Sequence, residues 1–198
     1  MMLTLYIAPG ASSMAPHIAL NHIGAPFELK SLSFAKRETR EPAYLAINPV
    51  GMVPTLVTDE GAITEVAAIL LYLGRRFPEA ELLPRDPFAE VQAVSWMSFT
   101  AATLHTAVRA GPDATAAALD MTERRLNGRA WTVGERLSVA DIHLFRLYWR
   151  MRHTHALPWE RWPALAAHYD RMMELPAVRK TCEMEAALGY EVPGLKMP

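Results

Sequence analysis

Apolar and polar positions change period along this chain, and the change divides it in two. Leu3-Thr4-Leu5-Tyr6-Ile7 is rich in strand formers and stops at the breaker Pro9-Gly10, which predicts a first strand. From Met14 to Ile23 the apolar residues recur at helical spacing, with Ser12 and Ser13 ahead of them and Gly24 behind; that is a helix with start and stop signals. Phe27 to Leu32 reads as a second strand. A β-α-β unit of this kind predicts a parallel pair with a right-handed crossover. Residues 36–47 are polar and predict a short, loosely held helix ending at Asn48-Pro49. Thr55-Leu56-Val57-Thr58 and Ala62-Ile63 flank Asp59-Glu60-Gly61, a hairpin signal. A third helix is expected from about Glu65 to Phe77, with Ile69, Leu70 and Leu73 on one face. The order β-α-β-α-β-β-α is a thioredoxin-like plan.

Beyond Phe77 the strand pattern does not return. Residues 79–87 hold Pro84 and Pro87 without periodicity and predict a linker. Helices are expected over 88–110, 113–127, 138–152, 163–175 and 176–188, then a tail with Pro193, Gly194 and Pro198. The expected organisation is α/β plus all-α: a thioredoxin-like domain at 1–78, a linker at 79–87 and a helical bundle at 88–198. No repeat and no low-complexity segment interrupts it.

Composition narrows the function classes. The 198 residues are 51% hydrophobic with a formal net charge of −1, enough for a core and no electrostatic case for nucleic acid or an anionic membrane surface. No apolar run approaches the ~18 residues of a membrane span. Met1 to Leu5 enters a strand pattern at once, without the basic and apolar regions of a signal peptide. The single cysteine, Cys182, excludes an internal disulfide framework and fits a reducing compartment. The expected setting is cytoplasm.

Three features carry candidate chemistry, each with a plain structural alternative. Pro54 opens a strand just after Gly51. It is either an ordinary loop proline or the cis proline of a thioredoxin-like plan, which turns the backbone of Val53 outward to pair with an extended peptide. Glu65 stands at the start of the third helix. It either complements the helix dipole or faces the ammonium of a ligand whose carboxylate sits on the free N–H groups there. Ser12 and Ser13 either cap the first helix or supply a hydroxyl to a ligand thiolate. Elsewhere the structural readings prevail. His153-x-His155 lacks a third ligand, so no metal is expected. The tryptophans read as helix packing, and Cys182 reads as an inert packed thiol.

Linked in order, these motifs resemble the bacterial beta class of glutathione S-transferases. The resemblance rests on Tyr6-Ile7-Ala8-Pro9-Gly10-Ala11-Ser12-Ser13-Met14-Ala15-Pro16-His17, on Tyr44-Leu45-Ala46-Ile47-Asn48-Pro49-Val50-Gly51-Met52-Val53-Pro54, on Thr64-Glu65 followed by Leu71-Tyr72-Leu73, on Leu104-His105, and on Leu137-Ser138-Val139-Ala140-Asp141. It implies a cis Pro54 and glutathione as co-substrate, its cysteinyl backbone paired with Val53 in the Met52-Val53-Pro54 stretch. Glu65 and the N–H of Val66 would hold the γ-glutamyl end. Arg37 would stand for a lysine that contacts glutathione in similar proteins. His105 would point at the thiol from the helical domain. Ser12 takes the place of the class's usual cysteine, so it would be the main thiolate partner and Ser13 the reserve, better placed to cap. Ser138 and Asp141 would form a capping box. Val66 replaces a serine or glycine; a lost hydroxyl–carboxylate bond of about 1.5–3 kcal/mol implies glutathione affinity roughly ten- to a hundredfold weaker. The implied activity is transfer of the glutathione thiolate to a small hydrophobic electrophile in detoxification, by a homodimer. Alternatives are another glutathione-dependent enzyme (dehalogenase, isomerase or thiol-disulfide reductase, the last disfavoured by the missing cysteine) or a non-catalytic binding protein of the same fold.

Overall fold

The computed structural model describes residues 2–191 and Leu195. Strand β1 (Leu3–Ile7) pairs in parallel with β2 (Phe27–Ser31) and antiparallel with β3 (Thr55–Val57), and β3 pairs with β4 (Ala62–Thr64), giving the order β2-β1-β3-β4. The alternation in β1 decides its two faces. Leu3, Leu5 and Ile7 enter the main core with Leu56, where α1 (Met14–Ile23) and α3 (Val66–Arg76) supply Met14, Ile18, Ile69, Leu70 and Leu73. Tyr6 looks the other way, onto a small second core of Ala8, Ala11, Tyr44 and Val53. Gly24 ends α1 in the left-handed conformation, its N–H on the Leu20 carbonyl, as its place in the sequence predicts.

The polar stretch 36–47 does not form one helix. A 3-10 turn at Glu38–Arg40 is followed by the extended Glu41 and the one-turn helix α2 (Pro42–Leu45). The expected linker is also more tightly held than its composition suggests. Pro78–Ala80 forms a 3-10 turn, Leu82 is fully buried, and its carbonyl accepts the N–H of Val139.

Helices fill the rest: α4 (Pro87–Phe99), α5 (His105–Ala110), α6 (Pro112–Leu126), α7 (Val139–Thr154), α8 (Pro163–Glu174) and α9 (Pro176–Leu188). The expected single helix over 88–110 is interrupted by a π-helical segment at Thr100–Leu104, directly before His105. Residues Thr100 to Leu104 combine the strong helix formers Ala and Leu with two weaker, β-branched threonines, a mixture common in regular helices, so nothing in their sequence marks the insertion. Such bulges gather at functional sites. Helix α7 is the central one, buried from Val139 to Trp149 on every face. Its start is the expected capping box: the Ser138 hydroxyl accepts the Ala140 N–H and the Asp141 carboxylate accepts the Ser138 N–H. Of the expected tail, Tyr190 donates to the Cys182 carbonyl and Glu191 accepts from Ser33 and Ala35; Pro193, Gly194 and Pro198 lie outside the described residues.

Candidate active site

The cleft between the sheet's loops and helices α5 and α7 holds two adjoining cavities of about 240 and 410 Å³. Three turns of the thioredoxin-like half form one wall. The first precedes α1. Here the two serines separate. Ser12 is half-buried, lines both cavities, and donates its hydroxyl to the Val53 carbonyl at 2.9 Å. Ser13 is fully buried and lines neither; its hydroxyl donates to the Ala8 carbonyl and accepts the Ala8 N–H, both at 3.2 Å. The expectations that Ser13 caps α1 and stands in reserve for the thiolate are therefore corrected. Its backbone is already helical and makes no side-chain cap, and its side chain faces the interior, where it ties down the preceding loop.

The second turn carries Val53 and Pro54, joined by a cis peptide bond. Two buried side chains hold the approach to it. Asn48 donates to the Met52 carbonyl at 2.7 Å and to Thr55, and Tyr44 donates to the same Met52 carbonyl at 2.6 Å. Gly51 has φ of +65°, and a Cβ there would lie 2.8 Å from the Thr39 carbonyl oxygen, so only glycine fits. Met52 is half exposed and lines both cavities, as Val53 does, while Pro54 lines the smaller one.

The third turn precedes α3. Glu65 has φ 69° and ψ 129°, outside the regions an L-residue favours, a conformation that costs about 1–3 kcal/mol and is typical of functional sites. Its carboxylate is exposed and unpartnered among the described residues. With the buried Val66 it lines the smaller cavity. Arg37, in a left-handed turn, reaches the larger cavity from the far end of the same wall.

Helices α5 and α7 form the other wall. His105 lines both cavities. Burial, then the charges of Arg146, Arg109 and Arg150, push its pKa down to about 4, so it is neutral at pH 7. His143 is pushed down to about 3, chiefly by burial and then by Arg146. Arg146 is only 3% exposed, yet burial lowers it only to about 9, so it remains a cation. Its guanidinium donates to the Ala11 carbonyl at 2.9 Å and the Gly10 carbonyl at 3.1 Å. The Gly10 N–H in turn donates to Glu185 Oε2 at 2.7 Å, and the other oxygen of Glu185 meets His17 Nδ1 at 2.9 Å. The loop that presents Ser12 is thus gripped from both ends of its peptide groups by buried charges of the helical domain.

Arg109, Arg146, Arg150 and His143 are absent from the sequence-based reading. Their only signal is Arg146 and Arg150 four residues apart in an otherwise apolar stretch of α7, which reads equally well as a solvated stripe. The His155 ring bonds Thr154, and the Cys182 thiol is pushed up to about 12 by burial and then by Glu185. No cluster of three potential metal ligands occurs among the described residues.

Comparison with known proteins agrees with this geometry. The family model "Glutathione S-transferase, N-terminal domain" matches residues 1–75, and "Glutathione S-transferase, C-terminal domain" matches residues 90–176. The glutathione S-transferase GstA of Escherichia coli O157:H7 is 31% identical, the alignment covering 91% of this chain and 98% of that protein. A beta-class glutathione S-transferase of Sphingomonas chungbukensis superposes with a TM-score of 0.82 at 33% identity, covering 92% of this chain and 98% of the other. A sphingomonad glutathione S-transferase solved in complex with glutathione gives a TM-score of 0.81 at 31% identity over the same shares. Matched in both halves and along nearly its whole length, the chain belongs to the glutathione S-transferase family.

Proposed function

We propose that this protein binds glutathione along the turn-built wall and transfers its sulfur to an electrophile lodged against α5 and α7. The observation that carries the reading is the bond from Ser12 to Val53. It sets a hydroxyl beside the one carbonyl that an extended cysteinyl backbone would use. When the ligand's N–H takes up that carbonyl, the hydroxyl is free to turn to the sulfur.

A free thiol titrates near ~8.5, and each unit of lowering needs about 1.4 kcal/mol of preference for the thiolate. A hydroxyl bonded to the thiolate is worth about 1.5–3 kcal/mol. The N-terminus of α1 adds about 0.3–1 kcal/mol. The buried cation of Arg146 acts in the same direction. Neutral His105 can bond the thiol but supplies no charge. At the other end, Glu65 faces the α-ammonium of the γ-glutamyl group, the N–H of Val66 its carboxylate, and Arg37 the glycine carboxylate. Catalysis is then largely proximity: an ionised sulfur held against a second substrate in a confined cleft.

The expected setting is detoxification in the cytoplasm by a two-fold homodimer. Phe88 and Val91, 71% and 60% exposed on successive turns of α4, offer an apolar face for a second copy. Light scattering should give twice the 22.1 kDa chain mass; a monomer at micromolar concentration removes the dimer. The function itself is tested by calorimetry with glutathione and with a peptide lacking the γ-glutamyl group. Binding of the first alone supports the reading, and binding of neither removes it, leaving a family member that uses the fold for partner contact.

A further inference from the structure

The larger cavity carries a charge distribution that glutathione does not exhaust. Arg37 and Arg40 enter it from the thioredoxin-like half, and Arg109, Arg146 and Arg150 from the helical half, while no carboxylate lines it. This is a chain with net charge −1, so the concentration of cations is local. Two of the five are committed: Arg40 donates to the Val50 carbonyl, and Arg146 to Gly10 and Ala11. The side chains of Arg37, Arg109 and Arg150 make no hydrogen bond or ion pair among the described residues. Arg109 also lies close enough to Arg150 to oppose its charge. Holding unpaired like charges together costs stability, and a cleft lined by one sign concentrates the opposite ion.

Glutathione's own charges can be assigned without α5 and α7. Glu65 meets its ammonium, the start of α3 one carboxylate and Arg37 the other, and Arg146 stands behind the sulfur. Arg109 and Arg150 remain. We infer that they bind an anionic group on the second substrate, so that the electrophile is a carboxylate-bearing molecule rather than a neutral apolar one. The planar guanidinium fork matches a carboxylate in two-point geometry. Phe34 and Met52, 40% and 50% exposed on the facing wall, provide an apolar surface for the rest of the molecule. This inference rests on the transferase reading above and names the substrate class of the same site.

A chlorodinitrobenzoate and its neutral chlorodinitrobenzamide make a matched pair. In either reaction the glutathione sulfur bonds to the ring carbon that bears chlorine. The carbon–chlorine bond breaks, chloride leaves with the bonding electrons, and the thiol proton passes to solvent. The two products, glutathione conjugates differing only in carboxylate or carboxamide, are titrated into the protein by calorimetry, so that ring reactivity plays no part.

The carboxylate conjugate should bind about tenfold tighter or more, the size of one charge-assisted bond. That advantage should shrink as salt is raised, because the groups are partly exposed. Arg109→Gln combined with Arg150→Gln should reduce the affinity ratio to about one, with partial recovery when both are lysine. Should the double variant fail to fold, exposed Arg109→Gln alone, with the salt series on the unaltered protein, reads the same ratio. Equal affinities for the two conjugates in the unaltered protein overturn the inference, as does a double variant that keeps the full ratio. Loss of all glutathione binding instead overturns the transferase reading itself, whereas tight glutathione binding with indifferent conjugates overturns the substrate class alone.

Discussion

On the sheet side of the cleft, each group proposed to face glutathione rides on a turn. Ser12 precedes α1, Val53 precedes Pro54, and Glu65 precedes α3. Each position is fixed by backbone geometry: a helix start, a cis peptide bond, a strained φ of 69°. On the helix side, the groups ride within or beside packed helices. Arg146 and His143 sit mid-way along α7, held by burial on all sides, and His105 follows the π-helical segment. One wall is made of backbone that has been given unusual shapes, the other of polar side chains carried into an apolar interior. The first kind of site is rigid because its turns are short. The second is rigid only while its buried charges keep their partners, and here the partners are the carbonyls of the first wall. The two walls therefore stand or fall together through Arg146.

The largest expected effect follows from that bond. Arg146→Met should leave the Gly10 carbonyl without its donor, the Ala11 carbonyl with the Met14 N–H alone, and Glu185 without its nearby cation. Breaking a buried charge arrangement by removing one member costs about 3–5 kcal/mol. Urea denaturation should show a loss in that range, together with loss of glutathione binding, because the Ser12 loop is released. A stability loss below about 1 kcal/mol would separate the walls and show that the sheet side holds its own shape.

The two serines give the next contrast. Ser12→Ala should raise the apparent pKa of bound glutathione, followed by thiolate absorbance, and lower the rate at neutral pH by about ten- to a hundredfold, the value of one bond to a charged group. Ser13→Ala should instead destabilise the fold by about 1–3 kcal/mol, since it strands the Ala8 N–H in the interior, while the Ala8 carbonyl keeps the Ala11 N–H. Reversed effects would mean that the interior hydroxyl, not the one on Val53, reaches the sulfur.

Acid should act on the helix wall first. His143 has its pKa lowered from 6.5 to about 3. Above pH 6.5 neither folded nor unfolded chain protonates it, and it has no effect. Below 6.5 the unfolded chain takes up a proton that the folded chain refuses. Stability then falls by up to about 1.4 kcal/mol per pH unit until the folded state titrates as well. His105, lowered to about 4 but partly exposed, adds a weaker slope of the same sign. Denaturation curves from pH 7 to 5 test this, and a flat profile would show that water reaches this wall.

The same contrast explains what could be read in the sequence. Turns announce themselves where they need special residues. Gly24 and the Asp59-Glu60-Gly61 hairpin each name their conformation, so β1, α1 and the hairpin were legible, whereas Pro54 alone left an ordinary loop open beside the cis form, which only the family resemblance implied, and nothing in the sequence announced the positive φ of Glu65. Helix-borne groups carry no such signal. Arg146 in a run of apolar residues looks the same whether it snorkels to water or reaches a carbonyl 135 positions away. Ser13 differs from Ser12 only by the rotation of one helical residue, which tertiary packing, not local pattern, converts into inside and outside. The π-helical segment has no composition of its own.

Cys182 provides the smallest expected effect and the sharpest check on where the chemistry ends. It lies on α9, packed against the main core, and its neighbour Glu185 is the residue that receives the Gly10 N–H. A reactive thiol there would extend the helix wall's chemistry beyond the cleft. Everything around it argues the other way. Burial and the negative charges of Glu185 and Glu183 push its pKa up to about 12, so at neutral pH the thiolate fraction is negligible and with it the nucleophilicity. It lines neither cavity of the cleft. Cys182→Ala should cost about 1 kcal/mol or less, the price of one small group removed from a partly buried site. Turnover with glutathione should stay within about twofold of the unaltered protein, and a thiol-alkylating reagent should react with the native protein far more slowly than with the unfolded chain. A tenfold loss of turnover would place a second reactive centre behind α1, and the division between a turn-built wall that does the chemistry and a helix-built wall that positions it would have to be abandoned.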